Sequence, residues 1–230
     1  MTKNEILEEY NFYNSAIKLF EKSEINESVC KMIPANWYEI LKQDSQSNKI
    51  AKTICMWKIL KKELSRTIGF LEEHLQDVDL VQIDNSMYLF YTIKTDENEL
   101  IYYLGGNPFD TKIEEQEFSK KGLSILQSQR TFYEKLHNGF FDYCSKAMGL
   151  LQVFEVKCLS DDEWEILNSV KEIKINLNVS YSFFSNGLGD YVVTDLELQK
   201  SAVWFHDEEP VYGVDFWNVA DEWLLMGLSE

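Results

Sequence analysis

Apolar side chains recur every three or four residues across residues 2–22, which predicts one helix with a single buried stripe. A second, short helix is expected after Pro34, around Trp37. After a polar break at residues 45–48 the same period returns and continues to Leu71, which predicts a longer helix. This segment carries the chain's one cluster of lysines, which we expect to be a solvated helix face.

The period of the apolar positions changes to two at Val78, where helix gives way to strand. Residues 78–104 alternate around two short polar turns, which predicts an antiparallel meander of three strands. Residues 105–108, Gly-Gly-Asn-Pro, are expected to close the meander as a loop, because glycine tolerates positive φ and proline cannot donate to a ladder.

The second half of the chain begins with helical spacing and continues with strands. A helix is predicted over residues 123–136, with Asn138-Gly139 as its left-handed stop. Ser160 stands three residues before Glu163, the spacing of a capping box, so a short helix is expected there. Asp215 is predicted to cap a final aromatic-rich helix.

Three strand-like segments lie between the last two predicted helices, at residues 179–184, 191–196 and 202–205. Strands therefore occur in two clusters flanked by helices, which indicates an α+β fold with a mixed, mainly antiparallel sheet. We divide the chain into residues 1–110, helices plus the meander, and residues 111–230. The first part either forms an N-terminal extension or completes the same fold.

Charge is distributed unevenly along the chain. The net charge is −17, and residues 151–230 hold 16 acidic residues against four basic ones, so −12 falls on about a third of the sequence. Nucleic acid and anionic membranes are disfavoured as ligands because their binders need exposed clusters of Lys and Arg. The concentrated acidity favours a basic partner.

The chain lacks the sequence marks of export and of metal or redox cysteines. Glu5, Glu8 and Glu9 stand where a signal peptide would carry basic residues, and the apolar runs are too short for a membrane span, so a soluble cytoplasmic protein is expected. The cysteines are widely separated, which favours buried free thiols over a zinc or disulfide site. They are Cys30, Cys55, Cys144 and Cys158.

The most distinctive stretch is Phe-Phe-Ser-Asn-Gly-Leu-Gly-Asp-Tyr-Val-Val-Thr-Asp at residues 183–195, followed by Trp-Phe-His-Asp-Glu-Glu-Pro at residues 204–210. In this order, with the closing helix and the upstream Asn138-Gly139, it resembles the SUKH superfamily, which contains the yeast Smi/Knr cell-wall regulators and many bacterial immunity proteins. The resemblance covers roughly residues 115–230. Family members usually carry Leu-Pro where this chain has Ile125-Leu126.

The resemblance implies a sheet flanked by helices, no enzymatic activity and no cofactor. It also implies that the chain neutralises a cognate toxin, such as a nuclease, by binding it, and the concentrated acidity favours a cationic toxin. The alternative is a regulatory scaffold of the Smi/Knr type with a cellular partner. A hydrolase of unknown type is a third reading, which a deep pocket with convergent polar groups would support.

Candidate site residues fall into two sets. The exposed acidic loop and its aromatic neighbours are expected to bind the partner, since three consecutive carboxylates cannot be buried. These residues are Asp207, Glu208, Glu209, Trp204 and Tyr212. The turn residues of the hairpin are expected to be scaffold. These residues are Gly187, Gly189, Asp190 and Asp195.

Catalytic and metal-binding arrangements are weaker readings of the same residues. Asp190, Asp195, His206 and Asp207 match no spacing of a calcium loop or a zinc helix, so no metal site is predicted. A cysteine nucleophile would require Cys144 or Cys158 beside a histidine, His137 or His206, and neither cysteine stands in a known nucleophile motif. No catalytic residue is therefore predicted.

Overall fold

The computed structural model describes residues 1–168, 170 and 172–229. Its first helix, α1 (Lys3–Glu9), begins at a capping box between Thr2 and Glu5. The prediction of one helix over residues 2–22 is wrong beyond Glu9. The chain turns at Asn14, which has positive φ, and forms the edge strand β1 (Ile17–Leu19), whose residues pair with β2.

Four helices of the N-terminal half follow: α2 (Glu27–Cys30), α3 (Ala35–Leu41), α4 (Gln46–Trp57) and α5 (Ser65–His74). The helical period seen from Ile50 to Leu71 is confirmed, but it is divided between α4 and α5. Helix α5 begins after Leu64, whose backbone is not helical. The Asp221 carboxylate, from the far end of the chain, accepts hydrogen bonds from two amides in the first turn of α5, those of Arg66 and Thr67.

The lysine cluster of this half lies among carboxylates. Lys49 contacts Asp77 at 2.9 Å, Lys58 contacts Glu72 at 2.8 Å, and Arg66 pairs with Glu222. These pairs offset much of the positive charge that the sequence concentrates here. The expectation of a solvated helix face fits the half-exposed side chains of Lys58 and Arg66.

Among the residues that the structure describes, ten antiparallel strands form one sheet in which spatial order follows chain order. The N-terminal strands after β1 are β2 (Leu75–Ile83), β3 (Ser86–Lys94) and β4 (Leu100–Gly106), which confirms the predicted meander. The middle strands, β5 (Phe140–Asp142) and β6 (Met148–Leu150), are three residues long and were not predicted. The C-terminal strands are β7 (Ser180–Asn186), β8 (Tyr191–Asp195), β9 (Lys200–Trp204) and β10 (Val211–Val214).

Gly105 and Gly106 lie inside β4 and not in a loop, so the predicted loop begins two residues late, at Asn107. Neither glycine has positive φ. They are required by close approach instead: a Cβ on Gly105 would lie 2.4 Å from the His137 ring, and one on Gly106 would lie 2.0 Å from the Asn138 carbonyl oxygen. The segment around His137 and Asn138 packs directly on this part of the sheet.

The described part of the second half contains three α-helices: α6 (Glu117–Lys120), α7 (Gln127–Thr131) and α8 (Phe216–Ser229). A π-helical turn extends α7 to Leu136, and Gly139 has a φ of +83°, close to the predicted helix and its stop. Asp215 accepts a hydrogen bond from the Asn218 amide at 2.9 Å, as expected of the cap of α8. The capping box predicted at Ser160 does not start an α-helix; only 3₁₀ turns form at Leu159–Asp161 and Glu165–Asn168.

The sheet is covered on both faces. Along β3, Leu89 and Tyr91 face a large core shared with α3, α4, α5 and α8, whereas Tyr88 and Phe90 face a smaller cluster beneath α1. A third cluster contains Val193, Ala202 and Trp204 of β8 and β9. The described residues of the irregular segment 157–179, which are 157–168, 170 and 172–179, pack across these two strands. This segment places new side chains beside the hairpin singled out in the sequence.

Candidate partner-binding surface

The β7–β8 hairpin ends in a tightly bonded tip. The Asn186 side-chain oxygen accepts hydrogen bonds from the amides of Leu188, at 2.8 Å, and Asp190, at 3.1 Å. Gly187 and Gly189 have φ values of +81° and +100°, a conformation that favours glycine. The tip therefore has a defined shape, with Leu188 at its crest.

Asp190 joins this hairpin to the β9–β10 loop. Its carboxylate accepts hydrogen bonds from the His206 backbone amide at 3.1 Å and from Asn186 Nδ2 at 2.8 Å, and it lies 2.8 Å from His206 Nδ1. Burial acts to raise the pKa of Asp190, but the hydrogen bonds from His206 and Asn186 outweigh it and lower the pKa. Asp190 is thus an anionic link between two loops.

Asp195, at the opposite end of β8, is fully buried. Its carboxylate accepts hydrogen bonds from the amides of Glu197, at 3.0 Å, Leu198, at 2.9 Å, and Asn176, at 3.2 Å. It orders the β8–β9 turn and ties the 157–179 segment to the sheet. Asp190 and Asp195 therefore act at different ends of the strand and do not converge.

The acidic loop of residues 207–209 is exposed, and the following Pro210 is buried. The Asp207 carboxylate lies 3.5 Å from His206 Nε2. The hydrogen bond to Asp190 raises the pKa of His206, burial opposes this, and the charges of Asp207, Asp190 and Glu208 raise it further, so that the pKa is raised. The histidine therefore carries more positive charge near neutral pH than an isolated imidazole.

The two aromatic residues expected to bind a partner differ in exposure. Trp204 is fully buried and packs edge to face against Trp164, with ring centroids 5.6 Å apart. It is a core residue beneath the surface, and the expectation of direct contact with a partner needs correction because no part of its side chain reaches solvent. Tyr212 is half-buried, and Lys174 Nζ lies 5.7 Å from its ring centroid.

A groove of about 730 Å³ lies between the 157–179 segment, β8 and the β9–β10 loop. We call it the acidic groove. Its rim carries carboxylates from both sides, and aromatic rings lie within it. The residues that define it are Asp162, Glu163, Trp164, Tyr191, His206 and Asp207. Trp164 and Tyr191 meet edge to face with ring centroids 6.1 Å apart.

Acidic side chains outnumber basic ones at this groove. Its basic side chains are Lys157 and His206. The half-buried rings of Trp164 and Tyr191 beside carboxylates suit a Lys or Arg side chain, because its apolar stem packs on rings while its charged head meets the rim. In the sequence, Asp162, Glu163 and Trp164 were interpreted as the start of a helix and not as part of a binding surface. Their position opposite Asp207 depends on the course of the 157–179 segment.

Cys158 and Cys144, the two cysteines considered as nucleophiles, have different surroundings. Cys158 Sγ contacts the Ser160 hydroxyl at 3.2 Å and the Leu177 carbonyl at 3.1 Å. Burial, then the charges of Asp142 and Glu9, raise the pKa of Cys144 to about 11, which disfavours the thiolate. Among the described residues, no three His, Cys, Asp or Glu side chains are grouped so that they could hold a metal ion.

The cysteines differ in burial: Cys158 is buried, Cys30 and Cys144 are half-buried, and Cys55 is exposed, so the expectation of buried thiols is wrong for Cys55. Within residues 1–168, 170 and 172–229, no helix has both the length and the apolar character needed to cross a bilayer.

Comparisons with protein-family models, curated proteins and solved structures found no match.

Proposed function

We propose that this chain is a non-enzymatic immunity-type protein that binds and neutralises a basic toxin domain of a bacterial toxin system, with the acidic groove as its contact surface. The observation that carries the proposal is the convergence of Asp162, Glu163 and Asp207 around Trp164 and Tyr191. Aromatic rings supply binding energy at protein interfaces, and a surface of one charge sign steers an oppositely charged partner.

The resemblance to the SUKH superfamily supports the same proposal from the sequence side. Leu126 stands where that family usually has proline, and its φ of −55° and ψ of 145° are values that proline adopts. The glycines of the resembling segment form the turn at the hairpin tip, and α8 follows the last strand of the sheet. These features support the family assignment, from which the toxin partner is inferred.

The test begins with the protein encoded beside this gene. We expect this chain to protect cells that express the neighbouring toxin domain and to bind that domain in vitro. Because the attraction is electrostatic, association should slow as ionic strength rises. Binding without salt dependence would contradict the role of the acidic groove. Binding without protection would instead favour a regulatory partner of the Smi/Knr type.

Two charge-matched variants locate the surface. Asp162→Asn/Glu163→Gln removes two negative charges from the acidic groove, whereas Glu97→Gln/Glu99→Gln removes two exposed charges at the β3–β4 turn. The groove variant should lower the association rate constant about tenfold at low salt, since steering changes rates by orders of magnitude. The turn variant should change it little. Equal effects of the two variants would show that net charge, and not the groove, is responsible.

A further inference from the structure

A second groove, of about 470 Å³, lies on the other side of the same hairpin tip, against α8. We call it the apolar groove. Most of its lining is apolar, and it includes Met148, Leu188, Phe205, Trp223 and Met226. Leu188 and Met226 are 77% and 48% exposed, so two large apolar side chains face solvent at its mouth. Adjoining exposed apolar side chains are characteristic of interaction sites.

The turn itself does not require a leucine at its crest. The tip is held by the Asn186 side chain and by glycines with positive φ, and Leu188 contributes its backbone amide to that network. Any residue with an amide hydrogen would satisfy the bond. The exposed isobutyl group is therefore free to contact another molecule.

The charge at the apolar groove indicates the chemistry of its occupant. The charged side chains that line it are Asp142 and Asp190, and no Lys or Arg is among the described residues of its lining. The carboxylate of Asp190 also bonds His206, which lines the acidic groove. The two grooves therefore share one wall, the hairpin tip, and both have anionic character.

We propose that the apolar groove binds a large apolar side chain of a protein segment in which Lys or Arg flanks that side chain, with Leu188 and Met226 packing against it. The inference rests on the proposed function for the identity of the partner, a basic toxin domain. It goes further by assigning two roles within one interface. The acidic groove accelerates association, and the apolar groove slows dissociation.

Two peptides of equal charge test the apolar groove directly. The probes are acetyl-Lys-Lys-Phe-Lys-Lys-amide and the same peptide with Ser in place of Phe, added to the full ¹⁵N-labelled chain at millimolar concentration. We expect the Phe peptide to shift the amide resonances of Leu188, Met226 and Gly227 and the indole resonance of Trp223. The Ser peptide should leave these resonances in place.

Matched variants then separate apolar packing from charge. Leu188→Ser should weaken binding of the Phe peptide about tenfold, towards the affinity of the Ser peptide. Leu198→Ser, which changes a 54%-exposed leucine at the β8–β9 turn, should have no effect. Equal shifts from both peptides, no shift at the groove, or unchanged affinity of Leu188→Ser would overturn the proposal.

The toxin complex distinguishes this inference from the proposed function. Leu188→Ser should raise the dissociation rate constant of the complex while leaving the salt dependence of association unchanged. A complex unaffected by Leu188→Ser would overturn the apolar groove and leave the function standing. Specific binding of the Phe peptide without protection against the toxin would have the opposite meaning, because the groove would stand and the function would fail.

Discussion

A buried chain of hydrogen bonds links the two halves of the protein through Tyr91. The Trp57 indole donates to the Tyr91 hydroxyl at 3.0 Å, and that hydroxyl lies 2.8 Å from His137 Nε2. All three side chains are fully buried. Since the hydroxyl accepts from Trp57, it has its own hydrogen to donate to His137.

Tyr91→Phe removes this oxygen and leaves the indole N–H and the imidazole Nε2 without a partner. An unsatisfied buried polar group costs about 1–3 kcal/mol, so the two together should lower the free energy of unfolding by about 2–6 kcal/mol. For a chain of this length each kcal/mol lowers the melting temperature by about 2–4 °C, so a fall of roughly 4–24 °C is expected.

The assay is urea unfolding followed by tryptophan fluorescence, with calorimetry for the melting temperature. Tyr102→Phe is the control, because Tyr102 is also buried but its hydroxyl makes no hydrogen bond to a described residue. The control should change the free energy of unfolding by less than about 1 kcal/mol. If Tyr91→Phe lowers the free energy of unfolding no more than Tyr102→Phe does, the hydrogen bonds of Tyr91 do not stabilise the contact between the two halves of the protein.

Four further outcomes are expected. Gly105→Ala should lower the free energy of unfolding by about 1–3 kcal/mol because the new Cβ would meet the His137 ring. Gly69→Ala, which has open space around it inside α5, should raise the free energy of unfolding by about 0.5–1 kcal/mol. The midpoints of urea unfolding measure both effects. Asp221→Ala should cost about 2 kcal/mol by removing the acceptor of two α5 amides, with faster hydrogen exchange at Arg66 and Thr67 as the readout. An NMR titration should show a raised pKa for His206, so the stability contributed by its bond to Asp190 is present at low pH and is lost as pH rises through that pKa. Asp190→Asn should lower this pKa, while the charges of Asp207 and Glu208 continue to raise it. Burial, opposed in part by the Gly106 backbone, lowers the pKa of His137 to about 3. Between about pH 6.5 and pH 3 this imidazole is protonated in the unfolded chain but not in the folded one, so the free energy of unfolding should fall as the pH drops through this range. A His137 imidazole resonance that titrates near 6.5 would contradict this.

The sequence by itself determined the elements whose cause is local. A period of two over residues 78–104 predicted β2, β3 and β4, because alternate side chains of a strand enter different faces of the sheet. The α+β class followed from two clusters of strands flanked by helices. The exposure of Asp207 and its neighbours followed from the cost of burying unpaired carboxylates.

Only the tertiary structure decided features that depend on distant segments. Residues 17–19 have helical spacing but become β1, because pairing with β2 supplies their backbone hydrogen bonds. Gly105 is required by the His137 ring and not by a turn, a relation that residue spacing does not encode. Trp204 was expected at the surface but lies beneath Trp164, because the 157–179 segment covers its face of the sheet.

Both grooves belong to this second class. Asp162 and Asp207 meet at the acidic groove although 45 residues separate them, and Leu188 and Met226 meet at the apolar groove across 38 residues. Local sequence marked the hairpin tip as a scaffold because its glycines and Asn186 define a turn. The packing of the 157–179 segment on one side of that tip, and of α8 on the other, determined that it forms the wall between two candidate binding sites.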